Sequence, residues 1–356
     1  MNKIYVNPNI KKTERVFPKQ GRYGYHRYDM NENPEGLPSA FVNSVVKDIT
    51  PEFLSVYPEP DRFLEKYAKY IGNGCSVENL VATNGTDMAL RYILETFGES
   101  GKDVVTVTPT FEMYWINCSI LGLRHKPVSY ERDMTIEINK ILAAIDDDTR
   151  IVALVNPNNP MGNVYSDEEI KKVISASKKV GAVVIIDEAY HYFYPNTFVN
   201  YALHEPNVIV TRTFSKLFSI AATRMGVAIA NRDLIHYIKN AKLTFDCNSV
   251  ALLFAERLLD HPELETTLIQ IEEEGKKFTL DSLKERGYEC KDCKGNFIFV
   301  KTKHDAGEIA KRLEDEKKIL VHPYKNPILK DYLRVSVGSI NAMRVFLDGL
   351  FDVDDK

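Results

Sequence analysis

The sequence has no excess of basic residues and no long apolar run. Its 356 residues include 46 lysines and arginines against 50 aspartates and glutamates, a formal net charge of −4. Because no basic stripe is present, a role at a nucleic acid or an anionic membrane surface is disfavoured. No apolar run approaches the roughly 20 residues that a membrane-spanning helix needs. The expected partners are therefore small molecules rather than nucleic acid or membrane.

Cysteine is also scarce, and its distribution excludes a disulfide scaffold. The five cysteines are odd in number and widely spread, which favours reduced thiols. Cys290 and Cys293 have the spacing of half a zinc site, but there is no second pair, so we expect no metal. The first residues lack the apolar core of a signal peptide. We expect a cytoplasmic protein.

Length and composition are those of a globular chain with a large and a smaller domain. Hydrophobic residues make up 44% and charged residues 27% of the sequence. Residues 1–40 are rich in turn formers and aromatics, which predicts an N-terminal arm that joins the small domain. We expect residues 41–250 to form the large domain and residues 251–356 the small C-terminal domain.

The large domain has the pattern of an α/β fold. Short β-branched runs at 80–83, 104–107, 150–155, 181–186 and 207–210 alternate with amphipathic helices. This alternation predicts a mostly parallel sheet of the seven-stranded type, flanked by helices. The strand at 226–230 is expected to close the sheet. Beyond residue 250, two helices and strands at 297–300, 319–321 and 332–337 predict a smaller α+β domain with a mixed sheet.

The segment 207–226 contains the first candidate for chemistry. Lys216 follows the end of a predicted buried strand, beside Thr213 and Ser215, and Arg224 comes eight residues later. Such a lysine can form an imine next to an anion that hydroxyls and an arginine hold. A lysine at the start of a loop can equally be an ordinary surface charge. Other segments decide between the two interpretations.

Further candidates follow the other predicted strands, where ligands bind in doubly wound sheets. The turn with Gly85, Thr86 and Asp87 opens a helix and offers free backbone N–H groups to a phosphate, although a plain capped helix has the same pattern. Phe111 and Asn159 each lie just past a strand. Asp187 ends the most continuous strand, which predicts a buried carboxylate in need of a cationic partner or strong hydrogen bonds, and Tyr190 follows it.

Together these residues match what pyridoxal 5′-phosphate requires. Its aldehyde requires Lys216, and its ring nitrogen requires Asp187, whose charge keeps the ring protonated. Asn159 and Tyr190 are candidate donors to its phenolate oxygen, and Phe111 is a candidate to stack on its ring. The candidates for its phosphate are Thr86, Thr213, Ser215 and Arg224. Lys216, once released from the imine, can move a proton between the substrate's α-carbon and the cofactor.

Six motifs occur in one order along the chain: 31–34 (Asn-Glu-Asn-Pro), 84–87 (Asn-Gly-Thr-Asp), 156–162, 187–190 (Asp-Glu-Ala-Tyr), Ser215-Lys216 with Arg224, and 333–338. In this combination the chain resembles the fold-type-I, pyridoxal-phosphate-dependent aminotransferases, in particular the histidinol-phosphate aminotransferase group, over nearly its whole length.

The resemblance implies further residues. Arg334 would bind a substrate carboxylate through a two-pronged contact, with Asn33 and His322 as further substrate-binding residues. Tyr57 would reach the cofactor phosphate of a partner subunit, which implies a homodimer with shared active sites. The family usually has an arginine where this chain has His322, and a neutral histidine is a poorer phosphate ligand.

The leading hypothesis is an aminotransferase that exchanges an amino group between glutamate or 2-oxoglutarate and a small, optionally phosphorylated amine or amino acid. One alternative keeps the cofactor and decarboxylates a phosphorylated amino acid, as in the related threonine-phosphate decarboxylases. A nucleotide-binding or regulatory α/β protein is a further alternative, disfavoured because neither G-x-G-x-x-G nor a P-loop is present.

Overall fold

The computed structural model describes residues 4–15, 17 and 20–355. The N-terminal arm contains a short helix, α1 (Pro8–Lys12), and a short strand, β1 (His26–Arg27). Next to α1, the Thr13 and Ser119 hydroxyls are 2.7 Å apart and hydrogen-bonded. In contrast, β1 pairs in parallel with residues 319 and 320. The arm therefore contacts both halves of the chain.

A seven-stranded sheet forms the centre of the large domain. Its strands are β2 (Leu80–Asn84), β3 (Asp103–Thr108), β4 (Arg124–Ser129), β5 (Thr149–Val155), β6 (Val183–Asp187), β7 (Val208–Thr213) and β8 (Met225–Ala230). The spatial order is β2-β8-β7-β6-β5-β3-β4. β8 runs opposite to the other six strands of this sheet, which are parallel to one another, so the predicted mostly parallel sheet is confirmed.

The expectation that the strand at 226–230 closes the sheet was wrong. β8 lies between β7 and β2, and β2 forms the edge. β8 follows β7 after a loop and pairs with it in antiparallel orientation, as in a hairpin. β2, which comes earlier in the sequence, pairs with the other side of β8. Strand order of this kind depends on pairings between distant residues, which a local apolar pattern does not contain.

Helices cover both faces of the sheet. They are α2 (Ser39–Val46), α3 (Pro51–Ser55), α4 (Asp61–Ile71), α5 (Gly85–Phe97), α6 (Met113–Leu121), α7 (Ile138–Ala144), α8 (Asp167–Lys179), α9 (Val199–His204) and α10 (Arg232–Ala241). The predicted serine cap of α8 is a full capping box, in which Ser166 and Glu169 each bind the other's backbone N–H.

The continuous apolar runs of the central strands are explained by burial on both sides. Along β6, Val184 and Ile186 face one hydrophobic core, whereas Val183 and Ile185 face the other. By the same two-residue period, the Asp187 side chain projects to the face of Val183 and Ile185. This places a carboxylate at the end of a strand that has no polar face.

The C-terminal part begins with α11 (Ser249–Leu259) and the long helix α12 (Pro262–Glu285). An antiparallel four-stranded sheet, a pair of helices and a short strand follow: β9 (Cys290–Asp292), β10 (Phe297–Lys301), α13 (Ala306–Lys317), β11 (Ile319–Leu320), β12 (His322–Pro323), β13 (Tyr332–Ser336) and α14 (Ile340–Asp354). The sheet order is β12-β13-β10-β9. β11 does not join this sheet, contrary to the prediction of one mixed sheet, because it pairs with β1 of the arm.

The proposed domain boundaries stay a prediction. Residues of α11 such as Leu252 and Phe254 belong to the same hydrophobic core as Phe63 and Leu64 of α4. Among the residues that the structure describes, no helix is long and apolar enough to cross a bilayer. The same residues contain no group of three or more His, Cys, Asp or Glu side chains that would suit a metal ion.

Candidate active site

The pairing of β2, β8 and β7 brings the end of β2 next to the loop that joins β7 to β8, at one edge of the sheet. Asn84 at the end of β2 pairs with Met225 at the start of β8, and Gly226 pairs with Thr213 at the end of β7. The turn at Gly85 therefore lies next to Arg224 and to the start of the loop that carries Lys216. This is the carboxyl edge of the parallel strands, where the sequence predicted ligand binding.

Two glycines make this approach possible. Gly85 has φ +73°, and a Cβ there would lie 2.7 Å from Arg224 Nη2. A Cβ on Gly226 would lie 2.5 Å from the Thr86 backbone nitrogen and 2.6 Å from the Gly85 carbonyl carbon. Side chains at either position would separate β8 from the start of α5. The helix start and the arginine loop lie in direct contact for this reason.

Hydroxyl and guanidinium groups surround that contact. The Thr213 hydroxyl donates to Ser215 Oγ at 2.9 Å and accepts the Ser215 N–H at 3.1 Å. Arg224 adopts a left-handed backbone conformation at φ 60° and donates to Asp87 Oδ2 at 3.1 Å. Free backbone N–H groups at the first turn of α5, near Thr86, add the positive end of a helix dipole. Such a set can hold a phosphate, with Asp87 anchoring the arginine.

Asp187 is buried without a cationic partner. Its side chain, 2% exposed, accepts the Ala189 N–H at 3.2 Å and the Tyr114 hydroxyl at 3.4 Å. No ion pair with Asp187 occurs among the described residues. Burial raises the pKa of Asp187 to about 6. A carboxyl group in this state favours a cation at the position that it faces.

Lys216 extends from the loop after β7 toward the arm. Its Nζ donates to the Met30 carbonyl at 2.9 Å and lies 5.8 Å from the centre of the Tyr190 ring. Burial, followed by the charge of Arg334, lowers the pKa of Lys216 to about 8. The unprotonated, nucleophilic form of this amine is therefore far more populated near neutral pH than it is for a lysine of ordinary pKa.

Tyr190 and Arg334 complete the polar lining. Asn31 Nδ2 donates to the Tyr190 hydroxyl at 3.0 Å, and burial raises the pKa of Tyr190 to about 12. The Arg334 guanidinium, in a residue only 7% exposed, donates from Nη1 to Asn159 Oδ1 at 2.6 Å and from Nη2 to the Asp29 carbonyl at 2.5 Å. Arg334 thus connects the asparagine loop, the small domain and the arm at one place.

The remaining predicted residues fall at varying positions. Phe111 is half-buried and packs against the hydrophobic core that contains Tyr114. This core lies on the face of the sheet to which Asp187 projects. Asn33 donates to Ser219 Oγ at 2.9 Å, three residues beyond Lys216. His322 pairs with Arg334 across the small sheet and makes an edge-to-face contact with Tyr324, with ring centroids 4.7 Å apart. Although part of this residue is exposed, packing of its imidazole and the Arg334 charge lower the pKa of His322 to about 4.

Tyr57 is the predicted residue that the fold does not bring into this group. It is 70% exposed and stacks on Phe245, with ring centroids 4.2 Å apart. Within one chain it therefore faces solvent. The roles assigned to all of these residues stay predictions, because position alone does not establish a contact with a ligand.

Several residues of the site escaped the sequence argument. Tyr114 contacts Asp187, Met30 accepts from Lys216 through its backbone, and Asn31 contacts Tyr190. Asn31 has φ 53°, a conformation that is uncommon for residues other than glycine. Its place in the Asn-Glu-Asn-Pro motif was the available signal for Asn31, whereas no local signal distinguishes Met30 or Tyr114.

The side chains of this site have the chemistry that pyridoxal phosphate requires. The decisive observation is Asp187, a buried carboxyl that forms no ion pair within the described part of the chain and that suits a protonated pyridine nitrogen. A lysine amine of lowered pKa lies at the same edge of the sheet as the close contact of Gly85 and Gly226, where hydroxyl and guanidinium groups could bind a phosphate. These are the features that the cofactor's nitrogen, aldehyde and phosphate require.

Comparison with known proteins gives consistent matches. The family model described as aminotransferase class I and II matches residues 33–350. Among the relatives, the histidinol-phosphate aminotransferase of Thermoanaerobacter sp. (strain X514) is 32% identical over 329 residues, which is 91% of this chain and 92% of that protein. The enzyme of the same name from Thermotoga maritima is 32% identical over 302 residues, 83% of this chain and 85% of that protein.

The fold also occurs in solved structures. Histidinol-phosphate aminotransferase from Sinorhizobium meliloti, in complex with pyridoxal-5′-phosphate, superimposes with a TM-score of 0.87 at 22% identity, covering 98% of this chain and 97% of that chain. The corresponding protein from Clostridium acetobutylicum has a TM-score of 0.82 at 21% identity, covering 92% and 99%. At these identities the similarity shows the fold.

Proposed function

Because this chain belongs to the family of class I and II aminotransferases, we propose that it exchanges an amino group between glutamate or 2-oxoglutarate and a small amine or amino acid. The family and its relatives make the protein a pyridoxal-phosphate-dependent transaminase. The substrate pair and the role of each residue are the proposal. Its main support is Lys216, an amine with a lowered pKa whose hydrogen bond in the structure goes to a backbone carbonyl.

Pyridoxal phosphate, when bound, supplies an aldehyde for amines and a ring that accepts the electron pair left by the substrate's α-proton. Lys216 would hold the aldehyde of the cofactor, and its amine would serve as the general base and acid that takes up and returns the α-proton of the substrate. Its pKa of about 8 suits both directions of that transfer near neutral pH. The Met30 carbonyl orients the amine before this step.

Asp187 and Tyr190 set the electrostatics on the two sides of the ring. Asp187 would hold the ring nitrogen in its protonated form, and this new ion pair would in turn lower the raised pKa of the carboxyl. The Tyr190 hydroxyl accepts its hydrogen bond from Asn31, which leaves the phenolic hydrogen free to donate to the cofactor's ring oxygen. Tyr114 holds Asp187 from the protein side.

Arg334 is the proposed receptor for a substrate carboxylate. Both of its terminal nitrogens already donate to uncharged oxygens, the side-chain oxygen of Asn159 and the backbone carbonyl of Asp29. The guanidinium is therefore held in place without an ion pair to either group. A carboxylate that replaces these oxygens gains a two-pronged, charge-assisted contact. Asn33, held beside the Lys216 loop by Ser219, is the proposed neighbour of the bound substrate.

The distal end of the substrate is less defined. Relatives are named for histidinol phosphate, but the low pKa of His322 keeps its imidazole neutral at physiological pH. A neutral histidine binds phosphate through a hydrogen bond alone, without charge attraction. We therefore expect a weaker preference for a phosphorylated donor than an arginine at this position would give.

A homodimer with shared sites is proposed for the assembled enzyme. Leu54, Val56, Tyr57 and Phe245 are each more than half exposed and include one stacked aromatic pair. Exposed apolar side chains of this size suit a subunit interface. In such a dimer, Tyr57 would reach the phosphate of the partner subunit. The five free thiols are consistent with the proposed cytoplasmic location.

The test is an amino-donor screen on purified protein incubated with pyridoxal phosphate. We expect a visible absorbance band that glutamate converts to the amine form and that 2-oxoglutarate restores, with no release of CO₂. Histidinol phosphate and histidinol, assayed in parallel, measure the contribution of a phosphate. Release of CO₂ without turnover of 2-oxoglutarate would instead identify a decarboxylase.

Lys216→Ala is the matching variant. We expect it to lose the visible band and at least ~10³-fold of the transamination rate, because proton transfer and covalent attachment are both removed. Lys239→Ala, an exposed lysine on α10, should keep both. A Lys216→Ala protein that retains a normal band would contradict the assignment of this lysine.

A further inference from the structure

A chain of buried polar side chains leads from the active site into the small domain. Asn31, which binds the Tyr190 hydroxyl, accepts the side-chain amide of Asn296 on its backbone carbonyl at 3.1 Å. Asn31 and Asn296 are each 1% exposed. Polar groups at such depth are expensive unless they are hydrogen-bonded, so their arrangement is restricted to few alternatives.

The orientation of Asn31 is fixed from two sides. Its backbone N–H donates to Ser336 Oγ at 2.7 Å, and the Ser336 hydroxyl is 3.3 Å from Asn31 Oδ1. Since the hydroxyl accepts the first bond, its hydrogen is available for Asn31 Oδ1. The amide nitrogen of Asn31 is thereby left for the Tyr190 hydroxyl. Asn296 completes this arrangement by holding the carbonyl of the same residue.

Glu272, on the long helix α12, is the last residue of this series of buried polar side chains. It is 5% exposed, and within the described part of the molecule its Oε2 and the Oδ1 of Asn296 are buried atoms without a hydrogen-bond partner. Burial raises the pKa of Glu272 well above its ordinary value, while the charge of Lys276 and the polar side chain of Asn296 oppose the shift. A proton on this carboxyl would give the unpaired Glu272 oxygen a hydrogen to donate, and the unpaired oxygen of Asn296 could accept it.

The helix that carries Glu272 is held tightly against two segments, the residues that follow β13 and the loop of Asn296. A Cβ on Gly275 would lie 1.8 Å from the Gly338 carbonyl oxygen, so backbone meets backbone at this point. Lys276 Nζ donates to the Cys293 and Gly295 carbonyls and pairs with Asp292 at 3.0 Å. These contacts place Glu272 at a defined position relative to Asn296.

We propose that Glu272 and Asn296 are positioning residues that, through Asn31, orient the Tyr190 hydroxyl toward the cofactor. The inference rests on the proposed function, in which Tyr190 donates to the ring oxygen of pyridoxal phosphate. Neither Glu272 nor Asn296 touches the cofactor. Both act by limiting how Asn31 can present its amide to the tyrosine. Their loss leaves the cofactor bound but weakens one hydrogen bond to its ring oxygen.

The experiment measures the pH midpoint of the visible absorbance change of the holoprotein, a readout separate from catalytic rate. A donor to the ring oxygen stabilises the form with the greater negative charge there, which is the deprotonated one. Weakening the bond therefore raises the midpoint. We expect an increase of roughly 0.5–1 pH unit in Asn296→Ala and in Glu272→Leu.

Glu272→Gln tests the neutral state of the carboxyl. Glutamine keeps the shape and a donor without a charge, so we expect its midpoint within about 0.2 units of wild type. Thr279→Val is the matched control, because Thr279 is a buried residue of the same helix whose hydroxyl binds the Gly275 carbonyl at 2.6 Å. It should lower thermal stability without moving the midpoint.

The outcomes separate this inference from the proposed function. Wild-type protein without a visible band would overturn both. A normal wild-type band, with unchanged midpoints in folded Asn296→Ala and Glu272→Leu, overturns the positioning role alone. If Glu272→Leu does not fold, Asn296→Ala decides by itself. Equal shifts in Thr279→Val and Asn296→Ala would likewise overturn it, by showing a general effect of destabilisation.

Discussion

Asp187 destabilises the folded apoprotein at neutral pH, and the same carboxylate would form an ion pair with the cofactor in the holoenzyme. Burial holds its pKa at about 6, above the ordinary value of 3.8. Because the folded-state pKa is raised, the protonated carboxyl favours folding at low pH, and that contribution is lost as pH rises through about 6. At neutral pH the ionised group destabilises the apoprotein until a cation pairs with it.

Asp187→Asn should therefore stabilise the apoprotein. The difference of about two pKa units corresponds to roughly 3 kcal/mol at pH 7.5 and should vanish near pH 4. Urea unfolding of both apoproteins at the two pH values measures it. The same variant should bind pyridoxal phosphate more weakly, because an amide cannot form the ion pair. Equal stability of the two apoproteins at pH 7.5 would contradict this account of Asp187.

Lys216 should make the rate of cofactor attachment depend on pH. Its pKa of about 8 means that the reactive amine increases as pH rises through 8, so the rate of cofactor attachment to the apoprotein should rise with a midpoint near pH 8. Arg334 is the second cause of the lowered pKa, after burial. Stopped-flow absorbance at a fixed cofactor concentration measures the profile.

Replacing Arg334 by methionine should move that midpoint upward, since a nearby positive charge no longer disfavours the ammonium form. Arg344→Met is the control, because Arg344 is exposed on α14 and packs over Phe278. A midpoint that is the same in wild type and Arg334→Met would exclude the proposed electrostatic coupling.

At the scale of elements, the site depends on the contact between β8 and the start of α5. Gly226 lies against the Thr86 nitrogen, where an added Cβ would be 2.5 Å away. Since the obstacle is backbone, the strand and the helix must move apart to accommodate a side chain. The helix N-terminus would then leave the surface that Arg224 and Ser215 share.

Gly226→Ala should consequently weaken phosphate binding more than ring binding. We expect overpacking to cost about 1–3 kcal/mol of stability, and the loss of affinity to be several-fold larger for pyridoxal phosphate than for pyridoxal. Gly24→Ala adds the same methyl group where no atom lies within 4 Å, and it should change neither affinity. Equal losses for both ligands would show that the groups proposed to bind the phosphate are unaffected.

Taken as a whole, the molecule has an apolar surface that one chain leaves uncovered. Phe245 is 54% and Leu54 67% exposed, in addition to the Tyr57 ring that stacks on Phe245. Phe245→Glu places a charge in the proposed interface, where desolvation without a partner is unfavourable. The variant should therefore elute as a monomer in size-exclusion chromatography with light scattering.

The monomer should also lose pyridoxal phosphate more readily on dialysis, because Tyr57 of the partner would no longer reach the cofactor. Val345→Glu, on α14 of the small domain, is the control for a new surface carboxylate. A monomeric wild-type protein, or a monomeric variant that retains cofactor as well as wild type does, would reject the shared site.

Much of the site followed from local sequence alone. Lys216, Asp187, Thr213 and Gly85 lie at strand ends that short apolar runs already marked, and parallel strands bring such ends to one edge. The resemblance to aminotransferases, now supported by the family match, added Arg334, which the structure places beside Asn159. These residues were predictable because burial pattern and turn chemistry act over a few neighbouring positions.

Only the tertiary structure decided what depends on contacts between distant residues. The insertion of β8, the pairing of β1 with β11 and the route from Glu272 through Asn296 to Asn31 join segments hundreds of residues apart or in different layers. No local pattern records such pairings, because backbone hydrogen bonds and buried amides accept many partners of the same chemistry. Which partner is chosen depends on how the whole chain packs.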